Sequence, residues 1–374
     1  MASVTISDIF DTICDIEQVD LRKVAAKKSP RAFKNPEQHA ISICQYHHDL
    51  ESVTGPRPTF SLLVSTWESS KNPFFREACA YLPEQEELYI TSNLLQPSNS
   101  GQLPVILISK VRLSRNDAGD VQAVEWQKLR PPSNMSMPAS GTEFKDGILF
   151  CSQGGPAQGT GGLYYMPWNK PPRAVVTNFA GWDFNSVHDV VQARDGSLWF
   201  TDPCHGFDKD FRPQPQLPCQ VYRYVPDTGD LRVVADGIGR PHGIAFNPDE
   251  SIVYITDTDA FRGGGEHEPM RAATIYAFDV IKRSGSPFLA NKRVFAFALS
   301  SIPMGIVCDD AGNVYTGCAD GIEIWNAGGS ILGVIEVPGG VASLSFGKDG
   351  ELFVCSEQRL WRVKLAGRRG SPIL

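Results

Sequence analysis

The sequence predicts an all-β chain folded as a six-bladed β-propeller with an N-terminal helical extension. Three observations predict it: a repeated internal beat, Asp-Gly-type turns at a fixed place in that beat, and a short apolar strand after each turn. The beat recurs at Glu77–Asn93, Ala139–Gln153, His188–Asp202, His242–Asp257, Met304–Cys318 and Ala342–Glu357. A repeat of roughly 40–60 residues made of short strands and turns points to blades around an axis.

Each beat opens on a strand mouth and reaches a turn about six residues later. The turns are Pro83-Glu84, Lys145-Asp146-Gly147, Arg194-Asp195-Gly196, Pro248-Asp249-Glu250, Asp310-Ala311-Gly312 and Lys348-Asp349-Gly350. The second strands are Leu88–Thr91, Ile148–Cys151, Leu198–Thr201, Val253–Thr256, Val314–Thr316 and Leu352–Val354. The residue opening each innermost strand of a propeller faces the channel. The axial ring is therefore expected to be Glu77, Ala139, His188, His242, Met304 and Ala342.

Residues 1–55 lack the beat and form an extension expected to pack on the propeller of residues 56–374. Within the extension Ile9, Phe10, Ile13, Ile16, Val19 and Leu21 have helical spacing, with Ser7 and Asp8 as caps, which predicts a helix over Ser7–Val24. An open last blade would leave an unpaired edge. The strand-like run Thr59–Thr66 is therefore expected to join the C-terminal blade and close the ring. Three insertions interrupt the beat: Gly154–Gly162, Cys204–Pro218 and Phe261–Met270. The first two lead to aromatic residues and read as candidate lids. The third, with Glu266, His267 and Glu268, reads as solvated surface with a weak look of a metal site.

Composition narrows the function. The chain has 374 residues, 34 of them glycine and 27 proline, and a net charge of −7. Its one basic cluster, Arg22–Lys34, is short and lies outside the repeats, so nucleic acid is not an expected partner. No run of 18 apolar residues is present, and no membrane span is expected. The N-terminus lacks a basic and then apolar leader, and the nine cysteines contain no CxxC pair. Buried thiols in a cytoplasmic protein explain them better than a disulfide framework. A glycine-rich stretch at 154–162 lacks the lysine and strand–helix setting of a phosphate loop, and no Gly-x-Ser-x-Gly elbow occurs.

Two stretches carry a resemblance. Phe184-Asn185-Ser186-Val187-His188-Asp189-Val190-Val191, continued by Asp195–Pro203, and Arg240-Pro241-His242-Gly243-Ile244-Ala245-Phe246-Asn247-Pro248-Asp249-Glu250 resemble the gluconolactonase and senescence-marker-protein (regucalcin) family. The run Phe211–Pro218 with Gln220–Arg223 is similar to the fungal lactonohydrolase branch. The resemblance implies a propeller with one axial divalent cation, usually calcium, held by a glutamate, two asparagines and an aspartate. That ion would polarise a lactone carbonyl and activate water. By position the glutamate is Glu77. His188 and His242 stand where the asparagines are expected, and Met304 where the aspartate is expected. Ala139 stands where lactonohydrolases carry a further asparagine.

Calcium requires six to eight oxygen ligands, and this ring offers one carboxylate, two imidazoles, a thioether and two methyl groups. The calcium chemistry is therefore expected to be lost, and no cofactor is expected. If a metal remains at the axis, its ligands would be Glu77, His188 and His242, a set suited to zinc or iron. Without a metal, an apolar pocket with a few hydrogen-bond donors can align two reactive molecules. Some fungal propellers similar to this family catalyse hetero-Diels–Alder couplings in tropolonic sesquiterpene (meroterpenoid) pathways, and the resemblance to them implies largely apolar small-molecule substrates. In that reading His188, His242 and Glu77 are catalytic. Met304, Ala139, Asn185, His205, Phe207, Tyr164, Trp182, Cys219 and Ser343 are the expected substrate-binding residues, His205 and Phe207 on a lid. Asp189 is expected to be structural. Two alternatives stay open: a lactonohydrolase with an altered divalent metal, and a non-enzymatic binding propeller that holds a partner through the Ser7–Val24 extension.

Overall fold

The computed structural model describes residues 3–23, 40–96, 104–263, 265–365 and 368–370. Most of the basic cluster Arg22–Lys34 lies outside the described residues. Six antiparallel sheets form the blades of a propeller, numbered here in chain order from the one that opens with Glu77. Their innermost strands are Glu77–Leu82, Pro138–Phe144, Val190–Gln192, Pro241–Phe246, Ile306–Cys308 and Ser343–Phe346. Four begin within one residue of the expected ring position. His188 and Met304 instead lie two residues ahead of their strands, although both amides still bond across to the second strand, at Thr201 O and Gly317 O. Ladder pairing is irregular at these mouths because the backbone there must turn toward the axis.

The turns behave as their residues dictate. Gly196, Gly312 and Gly350 adopt φ of 79°, 85° and 81°, and in blade 4 Glu250 takes the left-handed conformation at 57°. A left-handed residue is what this tight connection requires, and glycine meets it at lowest cost.

Blade 6 is assembled from both ends of the chain. Thr59–Ser65 pairs antiparallel with Arg359–Lys364, with Thr59 opposite Lys364 and Ser65 opposite Arg359. A buried ionic knot lies on the same blade. Glu351 accepts from Arg115 of blade 1 at 2.7 Å and from Arg362 at 2.6 Å, and Arg362 also holds Asp11 at 2.9 Å.

The expected helix over Ser7–Val24 does not form. Val4–Ser7 joins the outer edge of blade 1, and Thr12–Ile13 joins that of blade 6. Asp15–Gln18 pairs in parallel with Ser42–Gln45, which extends blade 5. Only Leu21–Lys23 is helical, as a single 3₁₀ turn. The β-branched residues Ile9, Thr12, Ile13, Ile16 and Val19 favour extended backbone, and three open sheet edges were available to pair it. Of the apolar residues that suggested a helix, Phe10, Ile13, Ile16 and Leu21 are exposed, while Ile9 packs against the core beside blade 1.

A belt of inter-blade hydrogen bonds surrounds the axis. Thr91 Oγ1 donates to Ala139 O at 2.8 Å, Thr201 Oγ1 to His242 O at 2.7 Å, and Thr256 Oγ1 to Met304 O at 2.8 Å. Backbone amides supply two more: Ser140 N to His188 O at 3.0 Å and Gly305 N to Ala342 O at 2.9 Å. Ser343 Oγ closes the circle on Ala78 O at 3.3 Å. Each bond runs from one blade to the next.

Thr201 also accepts the Asp189 amide at 3.1 Å. Thr201→Val keeps the shape but strands one buried carbonyl and one buried amide, so a loss of about 2 kcal/mol or more is expected. Equilibrium urea unfolding checks it; an unchanged midpoint would remove the belt from the list of stabilising features.

Candidate functional site at the propeller axis

The belt fixes the backbone of the ring residues, and their side chains converge. His188 and His242, from blades 3 and 4, lie with ring centroids 3.9 Å apart. A third imidazole joins them from outside the ring. The segment Cys204–Cys219 crosses this end of the axis, and its short helix His205–Asp208 places His205 5.1 Å from His188 and 5.6 Å from His242, centroid to centroid. One nitrogen from each of the three rings lies within 4.8 Å of the others, and all three residues are buried. Glu77 completes the group, with Oε1 3.8 Å from His242 Nε2.

Several contacts hold the lid segment down. Arg212 donates to Asn185 O at 3.0 Å and Gly155 O at 2.8 Å, and it also reaches Phe184 O. Asn185 Nδ2 donates to Leu217 O and Pro218 O at 3.0 and 3.1 Å. Arg240 grips Asp208 through two bonds of 2.7 and 2.9 Å. Gly206 lies so close to Arg212 and Ser186 that a Cβ there would meet them at 2.3 and 2.6 Å. The residue after His205 must therefore be glycine for the lid to seat.

Burial sets the charge state. It pushes the Glu77 carboxyl up to about 8, against the pull of Arg76 and Lys209. It drives His242 down to about 3, helped by the same two cations, and holds His188 and His205 well below the usual imidazole range. Lys209 itself falls to about 8, through burial and the neighbouring Arg76. At neutral pH the Glu77–His242 contact therefore joins two neutral groups. His188 Nδ1, His242 Nδ1 and His205 Nε2 have no hydrogen-bond partner among the described residues.

The cluster separates two spaces. Beneath the lid lies a pocket of about 20 Å³ bordered by Arg76, Ala139, Lys209 and Phe211. On the other side a cavity of about 600 Å³ follows the axis to the turn end of the inner strands, where Pro83, Glu250, Lys348 and Arg369 rim it. Its walls include Ala80, Val190, Ile244, Ile306 and Leu344, with Ser343 among them.

The expected site residues divide accordingly. Glu77, His188, His242 and His205 come together, and Ser343 lines the large cavity while bonding across the belt. Ala139 borders only the small pocket. Met304 is half-buried, its sulfur 4.0 Å from Arg76 Nη2. Asn185 anchors the lid. Tyr164 lines neither space: it is buried in blade 2 against Met135, Ile148 and Phe150. Trp182 lies exposed on the hairpin Asn178–Phe179/Trp182–Asp183, and Phe207 is half-exposed on the lid. Cys219 faces Cys204 at the base of the lid rather than either space. Asp189 accepts the amides of Val190 and Ile244 at 3.0 Å each, tying blade 3 to blade 4, and it also borders the large cavity. Arg76 and Lys209 were missed; only their place beside Glu77 and His205 could have flagged them. In the third insertion Phe261–Arg262 pairs antiparallel with Glu266–His267.

The calcium implied by the resemblance does not fit. Glu77 is the one carboxylate in the ring, the asparagine positions present unpartnered imidazole nitrogens, and Arg76 and Lys209 place cations where a hard cation would need anions.

The model of the SMP-30/gluconolactonase/LRE-like region matches residues 108–358, and the chain belongs to that family. Lactonohydrolase oryL of Aspergillus oryzae is 28% identical over 79% of this chain and 67% of its own length. Lactonohydrolase oryH of the same organism is 26% identical over 94% and 86%. Among solved structures, a gluconolactonase from Xanthomonas campestris superposes with a TM-score of 0.64 at 22% identity, covering 86% of this chain and 94% of that one.

The raised Glu77 value carries a sign. An unfolded glutamate ionises near 4.5 and the folded one near 8, so between these values the folded state holds the extra proton and stability falls as pH rises. Glu77→Gln should therefore gain stability on the wild type between pH 5 and pH 8, on the order of 1 kcal/mol or more. Parallel melts across that range check it; a constant difference would mean that Glu77 is ionised throughout.

Proposed function

We propose that this propeller is an enzyme that couples two molecules instead of hydrolysing one: a metal-independent hetero-Diels–Alder cycloaddition in fungal secondary metabolism. The heterodiene would be an o-quinone methide of tropolone type, the partner a terpene alkene, and the product a dihydropyran. The observation that carries this reading is a cluster of neutral imidazoles at the head of a cavity of about 600 Å³ whose inner walls carry aliphatic side chains among polar ones. A space of that size is within the range of small-molecule sites, and the aliphatic side chains of Ala80, Val190, Ile244, Ile306 and Leu344 give a terpene apolar surface to pack on.

The chemistry asks little of the protein. One carbon–carbon and one carbon–oxygen bond form as the π bonds of diene and alkene are consumed, with no leaving group and no net proton transfer. Electron density moves onto the heterodiene oxygen in the transition state. A neutral imidazole N–H of His188 or His242, or the protonated Glu77 carboxyl, donates to that oxygen in a dry site where such a bond is strong. Holding both partners in one orientation supplies the rest. The free cysteines are consistent with the cytoplasm, and among the described residues no helix is long and apolar enough to cross a membrane.

A second reading is favoured by one observation, the arrival of His205. Three imidazoles and a carboxylate are a ligand set for zinc or a related ion, which would supply Lewis-acid activation for lactone opening. Tetrahedral zinc holds its ligands about 3.3 Å apart, so the rings would have to draw closer than they are here.

One set of assays separates these. For the cycloaddition, His242→Ala should slow coupling about 10²–10³-fold, the value of one donor to a developing oxyanion, and EDTA should leave the rate unchanged. Lactone opening that EDTA abolishes and zinc restores, with no coupling detected, would overturn the cycloaddition and establish the second reading.

A further inference from the structure

The lid that delivers His205 is bracketed by two cysteines. Cys204 Sγ and Cys219 Sγ lie 3.1 Å apart across a sequence separation of 15 residues, where the chain leaves and re-enters blade 3. They differ in setting. Cys204 is buried, whereas Cys219 is half-buried and has the Arg240 guanidinium 3.7 Å away. The neighbouring Cys204 thiol, together with Arg240, holds Cys219 below the usual thiol range. A thiol with a second thiol in contact, a fixed cation beside it and partial access to solvent has the features of a reactive cysteine with a resolving partner. The other seven cysteines are buried.

We propose that Cys204 and Cys219 are a dithiol–disulfide modification site for small disulfides of the glutathione class, and that its oxidised form staples the lid over the axis. Cys219 thiolate attacks one sulfur of glutathione disulfide, forming a mixed disulfide and expelling one glutathione thiolate. Cys204 thiolate then attacks Cys219 Sγ, forming the protein disulfide and expelling the second glutathione. The two protons lost by the cysteines end on the two glutathione thiols, so glutathione disulfide is reduced as the pair is oxidised. The bond closes the loop that carries His205, Asp208 and Arg212, and so limits how far the lid can lift from His188 and His242. This deepens the functional reading above by regulating its site, but the thiol chemistry stands whichever reaction the site performs.

The test uses the full chain in glutathione buffers of graded ratio, with alkylation and peptide mass mapping. The expected result is a linked Cys204–Cys219 peptide in oxidising buffer, with a higher melting temperature and slower proteolysis between residues 207 and 217, all reversed by reduction. Cys204→Ser should trap glutathione on Cys219, and Cys219→Ser should carry no adduct at Cys204. Wild-type protein that keeps both thiols alkylatable in oxidising buffer would overturn the proposal. So would glutathione on Cys204 in the Cys219→Ser variant, which would reverse the assigned roles. A linked peptide with unchanged lid proteolysis would overturn the staple. If coupling activity is absent in every state, the functional reading fails while these thiol outcomes remain decisive.

Discussion

The closed belt of hydrogen bonds between neighbouring blades is the interaction on which the rest depends. A ring of sheets has no covalent hub, and van der Waals packing between blades tolerates sliding. The belt does not, because it ties the carbonyl of each ring residue from Ala139 to Ala342 to a donor on the blade before it. Since His188 and His242 are themselves acceptors in the belt, the geometry of the site and the registration of the blades are one constraint. Asp189 adds a second tie between the same two blades, and its burial alone raises its carboxyl to about 6 while three donors work against that rise. The acid beside the histidine holds its blade while bordering the same cavity.

Charge is the second organising feature. The axis gathers ionisable side chains from four places in the chain and then removes most of their charge through burial. Glu77 moves toward the acid form and the imidazoles toward the neutral form, while the Glu357 carboxylate sustains the charge of Arg76. The two cations Arg76 and Lys209 stand on the lid side of this neutral group, and the family scaffold is retained around it.

Much of this was legible in the sequence because propeller physics is local. Turn residues with obligatory left-handed backbone and apolar second strands recur wherever a blade must be built, so the beat located all six inner strands and placed Glu77, His188 and His242 together. Where the reading failed, long-range geometry decided. The Ser7–Val24 stretch has a pattern compatible with helix or strand, and only the open edges of three distant blades settled it. His205 was assigned to a lid, yet nothing in its neighbours says that the lid folds inward far enough to bring its ring edge-on to His188. Tyr164 and Trp182 are aromatic residues near the insertions, and blade packing claims the first while a surface hairpin exposes the second. The threonines that end the second strands were visible as a repeated letter; their role became apparent only as bonds between blades.

The N-terminal strap gives the propeller a mechanical asymmetry. It thickens blades 1, 5 and 6, the sector that also holds the ionic knot and the junction of the two chain ends. Among the described residues, blades 2, 3 and 4 receive no such added strand, and they end on bare outer strands at Arg173–Val176, Asp230–Ala235 and Ser286–Phe297. A closed hoop under thermal load gives most in its least reinforced arc. Here that arc holds both blades that carry His188 and His242 and the root of the lid, so the added strands brace the half of the ring opposite the imidazole cluster.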